Sequence, residues 1–429
     1  MTAMKNPQAY RVYLIMRATQ ALASAIMFTT LIMYYVTMVG MNPLQLVLVG
    51  TVLESTYFLF EVPTGVVADT TSRRLSVIIG MFVLGAAYLF QGLIPLFAAV
   101  LLAEAIRGVG ETFLSGATEA WLADEIGDEN VGTAFLRSGQ VNRIAGVAGT
   151  IGSVALASIA FNLPLLVGGG LYLALGVFLM LKMPETGFVP TPREGRNSSQ
   201  SMRRTFWEGV RVVRRSPVLL NILGIGFFFG AASEGIDRLG EAHLLANFAF
   251  PALGALQLVV WFGIISIVGS LIDLAVTEVF RQRLEAISKA PAATARALLG
   301  FYGLMIAGAV MFGLAGSFTL ALAALLAYGM FRSLGGPLYD AWLIQSIDSK
   351  VRATVLSMSG QANAIGQIAG GPGIGLIGNV FSIRAAIVAA GLLLSPALPL
   401  IARTLRRDRR APEAGIQAEP ALAESIEAT

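Results

Sequence analysis

Apolar residues run through this chain in blocks of roughly 20 or more, long enough to cross a bilayer, with short polar clusters between them. Twelve blocks are predicted to be spanning helices, near residues 11–38, 43–68, 73–92, 96–124, 134–160, 163–182, 217–244, 255–279, 295–314, 318–341, 353–379 and 383–403. The interval after the sixth block is the longest polar stretch. It divides the chain into a six-helix bundle at 1–182, a linker at 183–216, a second six-helix bundle at 217–404 and a tail at 405–429. In the linker, Arg203, Arg204, Arg211, Arg214 and Arg215 surround Phe206, Trp207, Val210 and Val213. That pattern predicts a basic amphipathic helix on an anionic lipid surface, with a plain linker as the alternative. The tail is rich in Ala, Glu and Pro and is expected to be disordered.

Composition agrees with this pattern. At 55% hydrophobic and 13% charged residues, with a mean hydropathy of +0.72, the chain carries about half the charge of a soluble globule. The net charge of +4 does not indicate nucleic acid, because the basic residues sit in short connections between apolar blocks. Lys5, Arg11, Arg73, Arg74, Arg137, Arg143, Arg281, Arg283, Lys289, Arg296, Lys350 and Arg352 all fall on one side of the predicted topology, whereas Arg384 alone falls on the other. Both termini are therefore expected in the cytoplasm and the protein in the plasma membrane. The first block has no small-residue cleavage site and reads as a retained helix. With no Cys, disulfides, thiolate metal sites and cysteine nucleophiles are excluded.

The two halves are related by an internal repeat. Ala120-Trp121-Leu122 returns as Ala341-Trp342-Leu343 and Ser138-Gly139-Gln140 as Ser359-Gly360-Gln361, each 221 residues later. In the same register Asn142 matches Asn363, Gly149 matches Gly370, and the acidic Glu119 matches Asp340. A duplication of six helices is the reading, which gives two pseudo-symmetric bundles in an all-α membrane protein.

Between the second and third predicted helices the chain reads Gly65-Val66-Val67-Ala68-Asp69-Thr70-Thr71-Ser72-Arg73-Arg74. Gly65 is expected to let backbones approach closely, and Asp69 and Arg73 stand four apart, the spacing of a charge pair on one helical face. These residues resemble the loop between helices two and three of the major facilitator superfamily, with Thr70 and Ser72 where that pattern has a basic residue and Gly. With the repeat and the basic central loop, the resemblance covers nearly the whole chain. It implies the facilitator fold, a substrate cavity between the halves and alternating access by rocking. It also implies that Asp124, at the end of the fourth helix, meets Asp69 and Arg73 as a cytoplasmic latch that includes Gly65 and Arg74. Gln345 holds the matching position in the second half, so a second latch there should be weaker.

Ionisable residues inside the predicted spans are the candidates for function, since each is costly to insert. Counting residues from the helix ends places Glu54, Arg107 and Arg332 near mid-membrane, with Glu104 and Glu111 on the same face as Arg107. Arg107-Gly108-Val109-Gly110 resembles the Arg-containing signature of proton-coupled facilitators. Glu54, Glu111 and Glu104 are then the proton-coupling candidates, with a static ion pair as the plain alternative. Arg107, Arg332, Glu234, Asp237 and Arg238 are the candidates for the cavity wall. The segment from Glu234 to His243 resembles one in tetracycline-resistance-like and macrolide-efflux-like exporters. His243 itself is expected to be a solvated surface residue.

No nucleotide loop, zinc motif or nucleophile-base set is present, so the chain is not expected to be an enzyme, to bind metal or to need a cofactor beyond a proton gradient. The leading expectation is proton-coupled export of small amphipathic compounds by a monomer, with lipid and protons as its other partners. Alternatives are uptake or flipping of an anionic metabolite or lipid, suited to Arg107 and Arg332, and a non-transporting membrane sensor or scaffold.

Overall fold

The computed structural model describes residues 5–190, 207, 210–211, 213–214, 216–252, 258–345, 347 and 352–405. Most of the predicted amphipathic linker helix and nearly all of the tail lie outside these. Every regular element among the described residues is helical. They are α1 (Pro7–Phe28), α2 (Leu31–Tyr34, continued by a π-turn at Tyr35–Val39), α3 (Pro43–Thr70), α4 (Arg73–Leu93), α5 (Phe97–Leu114), α6 (Ala117–Ile126), α7 (Asp128–Ala157) and α8 (Leu163–Lys182). The second half contains α9 (Pro217–Asn247), α10 (Val259–Ser288), α11 (Pro291–Leu314), α12 (Phe318–Gln345), α13 (Arg352–Val380) and α14 (Ile383–Leu393).

Helix starts follow from local chemistry. Asn42 caps α3 through a reciprocal pair with Gln45, with Pro43 in the first turn, and Ser72 caps α4 by accepting from the Leu75 N–H at 2.9 Å. Two predicted helices are interrupted. The first breaks at Thr29–Thr30, and the fourth divides into α5 and α6 at Ser115–Gly116, where Gly116 takes the left-handed φ of +69° that glycine tolerates best.

Among the described residues nine helices are long and apolar enough to cross a membrane. The predicted spans at 96–124, 134–160 and 353–379 are not among them. Broken at Gly116, the first of these leaves α5 with Glu104, Arg107 and Glu111 in its 18 residues. The other two, α7 and α13, are rich in Gly, Ser, Thr, Asn and Gln, which lowers their hydropathy, although α7 still exposes Leu136, Ile144 and Ile151.

The chain forms two compact units. The first takes residues 1–198, 237–270 and 371–383, and the second takes 199–236, 271–370 and 384–429. In the first, α1 packs on α7 and α8, and α4 on α5 and α8. A dry cluster of Met33, Ala157, Val259 and Phe262 brings α2, α7 and α10 together there. In the second, α11 packs on α12.

Glycines set the closest approaches, and the repeat puts them in equivalent places. A Cβ on Gly149 would lie 2.6 Å from the Leu22 carbonyl, and one on Gly370 would lie 2.6 Å from the Ala231 Cβ. Asn363 donates to the Gly226 carbonyl at 3.2 Å, and Asn142, with its amide turned to donate, reaches the Arg17 carbonyl at 3.0 Å. Trp121 and Trp342 are both fully buried. The matching residues thus hold matching helix pairs, α7 on α1 and α13 on α9. Gly65 does not behave as expected, because nothing lies within 4 Å of its would-be Cβ. It stands two residues after Pro63 within continuous α3 and does not take a left-handed φ, so neither close packing nor a special backbone conformation accounts for it.

Candidate functional site

The second unit encloses a cavity of about 370 Å³ between α9, α11, α12 and α13. Its wall is mainly aromatic and apolar, with Phe229, Tyr302, Met305 and Leu343, interrupted by Arg332 and Asp340. Between those two charges Gly335 and Gly336, in continuous α12 just before Pro337, line the cavity without side chains. The Arg332 guanidinium stands over the Phe229 ring at 5.5 Å, and Phe229 leans on Tyr302 with ring centroids 6.1 Å apart. Most neutral polar groups in the wall are consumed internally. The Tyr339 hydroxyl donates to the Ile222 carbonyl at 2.9 Å and meets Ser359 at 3.1 Å, while the Asn363 oxygen accepts from Gln367 at 2.8 Å.

In the first unit the mid-helix charges close on themselves. Arg107 Nε donates to Glu104 Oε2 at 2.8 Å, and Nη2 lies 2.5 Å from the same oxygen. The other carboxylate oxygen accepts from the Tyr35 hydroxyl at 3.1 Å, and that hydroxyl in turn accepts from Gln91. Phe28 and Tyr88 flank the guanidinium at 5.5 and 6.0 Å. Glu104 is 1% exposed and Arg107 7%, so the expected charged cavity wall is instead a sealed ion pair. Glu111 does not join it, and among the described residues no hydrogen bond or ion pair reaches its half-buried carboxylate. It lies one full turn beyond Arg107, whose guanidinium turns back toward Glu104 on the preceding turn.

The turn between α3 and α4 is tied to α6 and to the chain leaving α8. Arg73 pairs with Asp124, donates to the Ala120 carbonyl at 3.1 Å and lies 5.6 Å from the Phe188 ring. The Arg73–Asp69 contact expected from their spacing does not form, because α3 ends at Thr70 and Arg73 begins a new helix after the Ser72 cap. Around this pair Glu185 accepts from the Ser72 hydroxyl and the Arg74 N–H, and Trp121 Nε1 donates to the Pro184 carbonyl at 2.7 Å. Glu125 accepts from Asn6, from the Thr186 hydroxyl and N–H, and from the Gly187 N–H. Burial opposes its charge, but these four donors outweigh that cost and hold its carboxyl below the ordinary range. In the second half Gln345, at the position matching Asp124, donates to the Ser288 carbonyl.

A sequence profile described as "Major Facilitator Superfamily" matches residues 13–370. The chain belongs to this superfamily. It is a multi-pass membrane transporter of the facilitator type, with the facilitator fold, and no catalytic family is indicated for it. A Bacillus subtilis protein named "Uncharacterized MFS-type transporter YxaM" is 25% identical over 367 residues, covering 84% of this chain and 87% of that one. Among solved structures, a D323A mutant of the nucleoside transporter NupG superposes with a TM-score of 0.76 at 12% identity, over 93% of this chain and 99% of its own. A bacterial homologue of the human lysosomal transporter Spinster gives 0.69 at 14% identity, over 93% and 97%. These likenesses concern the fold.

Within this facilitator, the charged cluster of α9 is divided between the units. Glu234 is buried in the second, whereas Asp237 and Arg238 belong to the first. Like Glu54 in α3, all three engage neighbours and none is a free charge. His243 is not a solvated residue: it is 0% exposed, with Nδ1 at 3.1 Å from the Asn247 amide and its ring edge-on to Phe248. The apolar residues around it in sequence pack inward and carry it with them. Tyr35, Gln91, Glu125 and Glu185 were not singled out from the sequence.

Proposed function

We propose that this facilitator is a secondary active transporter that exports small amphipathic compounds against protons across the plasma membrane, by alternating access of the halves 1–182 and 217–404. The cavity in the second unit carries this reading. Its aromatic and Met-lined wall with two ionic side chains suits a ligand that is mostly apolar with a polar end. Glu111 is the favoured carrier of the coupling proton, since Glu104 is held by Arg107 and Tyr35. The same ion pair weakens the alternative of an anionic metabolite, which needed Arg107 as well as Arg332. The basic connections support cytoplasmic termini.

The test is substrate-induced proton movement in proteoliposomes loaded with a pH-sensitive dye. Release of protons on adding an amphipathic compound, lost in Glu111→Gln and retained in a catalytically silent surface variant such as Arg281→Gln, is the expected result. Full proton movement in Glu111→Gln would remove the coupling role. Substrate movement insensitive to a protonophore would remove proton antiport altogether.

A further inference from the structure

We infer that the cavity in the second unit selects ligands that carry a protonated amine on an aromatic body, and that Asp340 is the residue that recognises the amine. This rests on the cavity's being the transport site and adds the charge of the substrate.

Asp340 lies in the cavity wall with its side chain exposed to the cavity opening, and among the described residues no hydrogen bond or ion pair reaches its carboxylate. The neighbouring polar side chains cannot serve it or a ligand freely. Tyr339 is committed to Ile222 and Ser359, and Asn363 to Gly226 and Gln367. A carboxylate at the edge of a largely apolar cavity, with no protein cation bonded to it, leaves its charge available to a cationic ligand. Arg332 does not fill that role. It sits eight residues earlier on α12, about 12 Å away along a helix axis, with its guanidinium over Phe229.

The rest of the wall fits the remainder of such a ligand. Phe229 and Tyr302 form an aromatic surface, and Met305 adds an adaptable thioether. Space beside them is kept open by glycine: a Cβ added at Gly336 or Gly360 would meet nothing within 4 Å. A cavity of about 370 Å³ admits a bicyclic aromatic amine, and an ionised carboxylate gives that amine a charge-assisted hydrogen bond that a neutral analogue lacks.

The experiment uses the purified full-length protein in detergent at pH 7, without a gradient, so that coupling cannot enter. Binding of 1-naphthylmethylamine, 1-naphthylmethanol and 1-naphthylacetate is measured calorimetrically for wild type, Asp340→Asn and Gly360→Leu, with folding checked by gel filtration. The expected result is a preference of wild type for the amine of about tenfold or more. In Asp340→Asn the amine weakens to the level of the alcohol, whose own affinity is unchanged, and Gly360→Leu weakens both. Equal or better binding of the alcohol or the acetate by wild type, or an amine preference that survives Asp340→Asn, overturns the amine assignment. In that case a loss in Gly360→Leu leaves the cavity standing as the site. Binding unaffected by Gly360→Leu, or no binding of any probe by folded wild type, removes the cavity reading and the inference with it.

Discussion

Neutralising Glu104 tests whether the buried charges of α5 hold the fold or drive transport. In the native protein Arg107 is 7% exposed, and its Nε and one Nη both point at a single Glu104 oxygen. Glu104→Gln keeps the shape but removes the countercharge, leaving a guanidinium between Phe28 and Tyr88. The amide also offers one acceptor oxygen where two served, so either Arg107 or Tyr35 loses its bond. Removing one partner of a buried pair costs about 3–5 kcal/mol, and the retained acceptor puts this case near the lower end, about 3 kcal/mol. Adding Arg107→Met should recover most of that loss, since an apolar side chain of similar length suits the site. Reversible SDS-induced unfolding in mixed micelles measures all three proteins. A single variant within about 0.5 kcal/mol of wild type, or a double variant no more stable than the single, would refute the sealed-pair reasoning.

The remaining predictions use other parts of the chain. Gly149→Val puts a Cβ 2.6 Å from the Leu22 carbonyl and should cost about 1–3 kcal/mol, whereas Gly146→Val, with nothing within 4 Å, should stay close to neutral in the same assay. Glu125, with its carboxyl held low, stabilises the fold at neutral pH, and that contribution is lost as pH falls from the ordinary carboxylate range through its lowered value. The melting-temperature gap between wild type and Glu125→Gln should therefore narrow on acidification from pH 7, and a constant gap would contradict the hydrogen-bond account. Asp124→Asn removes the Arg73 partner and should loosen that end of the bundle; because the chain has no native Cys, a single cysteine introduced at Ala120 reports this as faster thiol labelling.

The sequence by itself determined the helices and their duplication. Apolar periodicity and caps such as Asn42 and Ser72 act over a few residues, so α3, α4 and α8 begin and end where the pattern places them. The repeat register likewise named the pairs Asn142/Asn363 and Gly149/Gly370, which hold equivalent helices together. Only the tertiary structure decided which charges meet. Of the two partners the sequence offered it, Arg73 takes Asp124, 51 residues on, rather than Asp69 at four. Glu125 finds its donors in Thr186 and Gly187, and Asp340 is left alone beside hydroxyls and amides already committed to distant carbonyls. Spacing along one helix can propose a charge pair, but a side chain is satisfied by whatever packing brings within about 3 Å, and that is set by helices far apart in sequence. His243 shows the same limit: its position near a helix end suggested solvent, and the packing of its neighbours buried it.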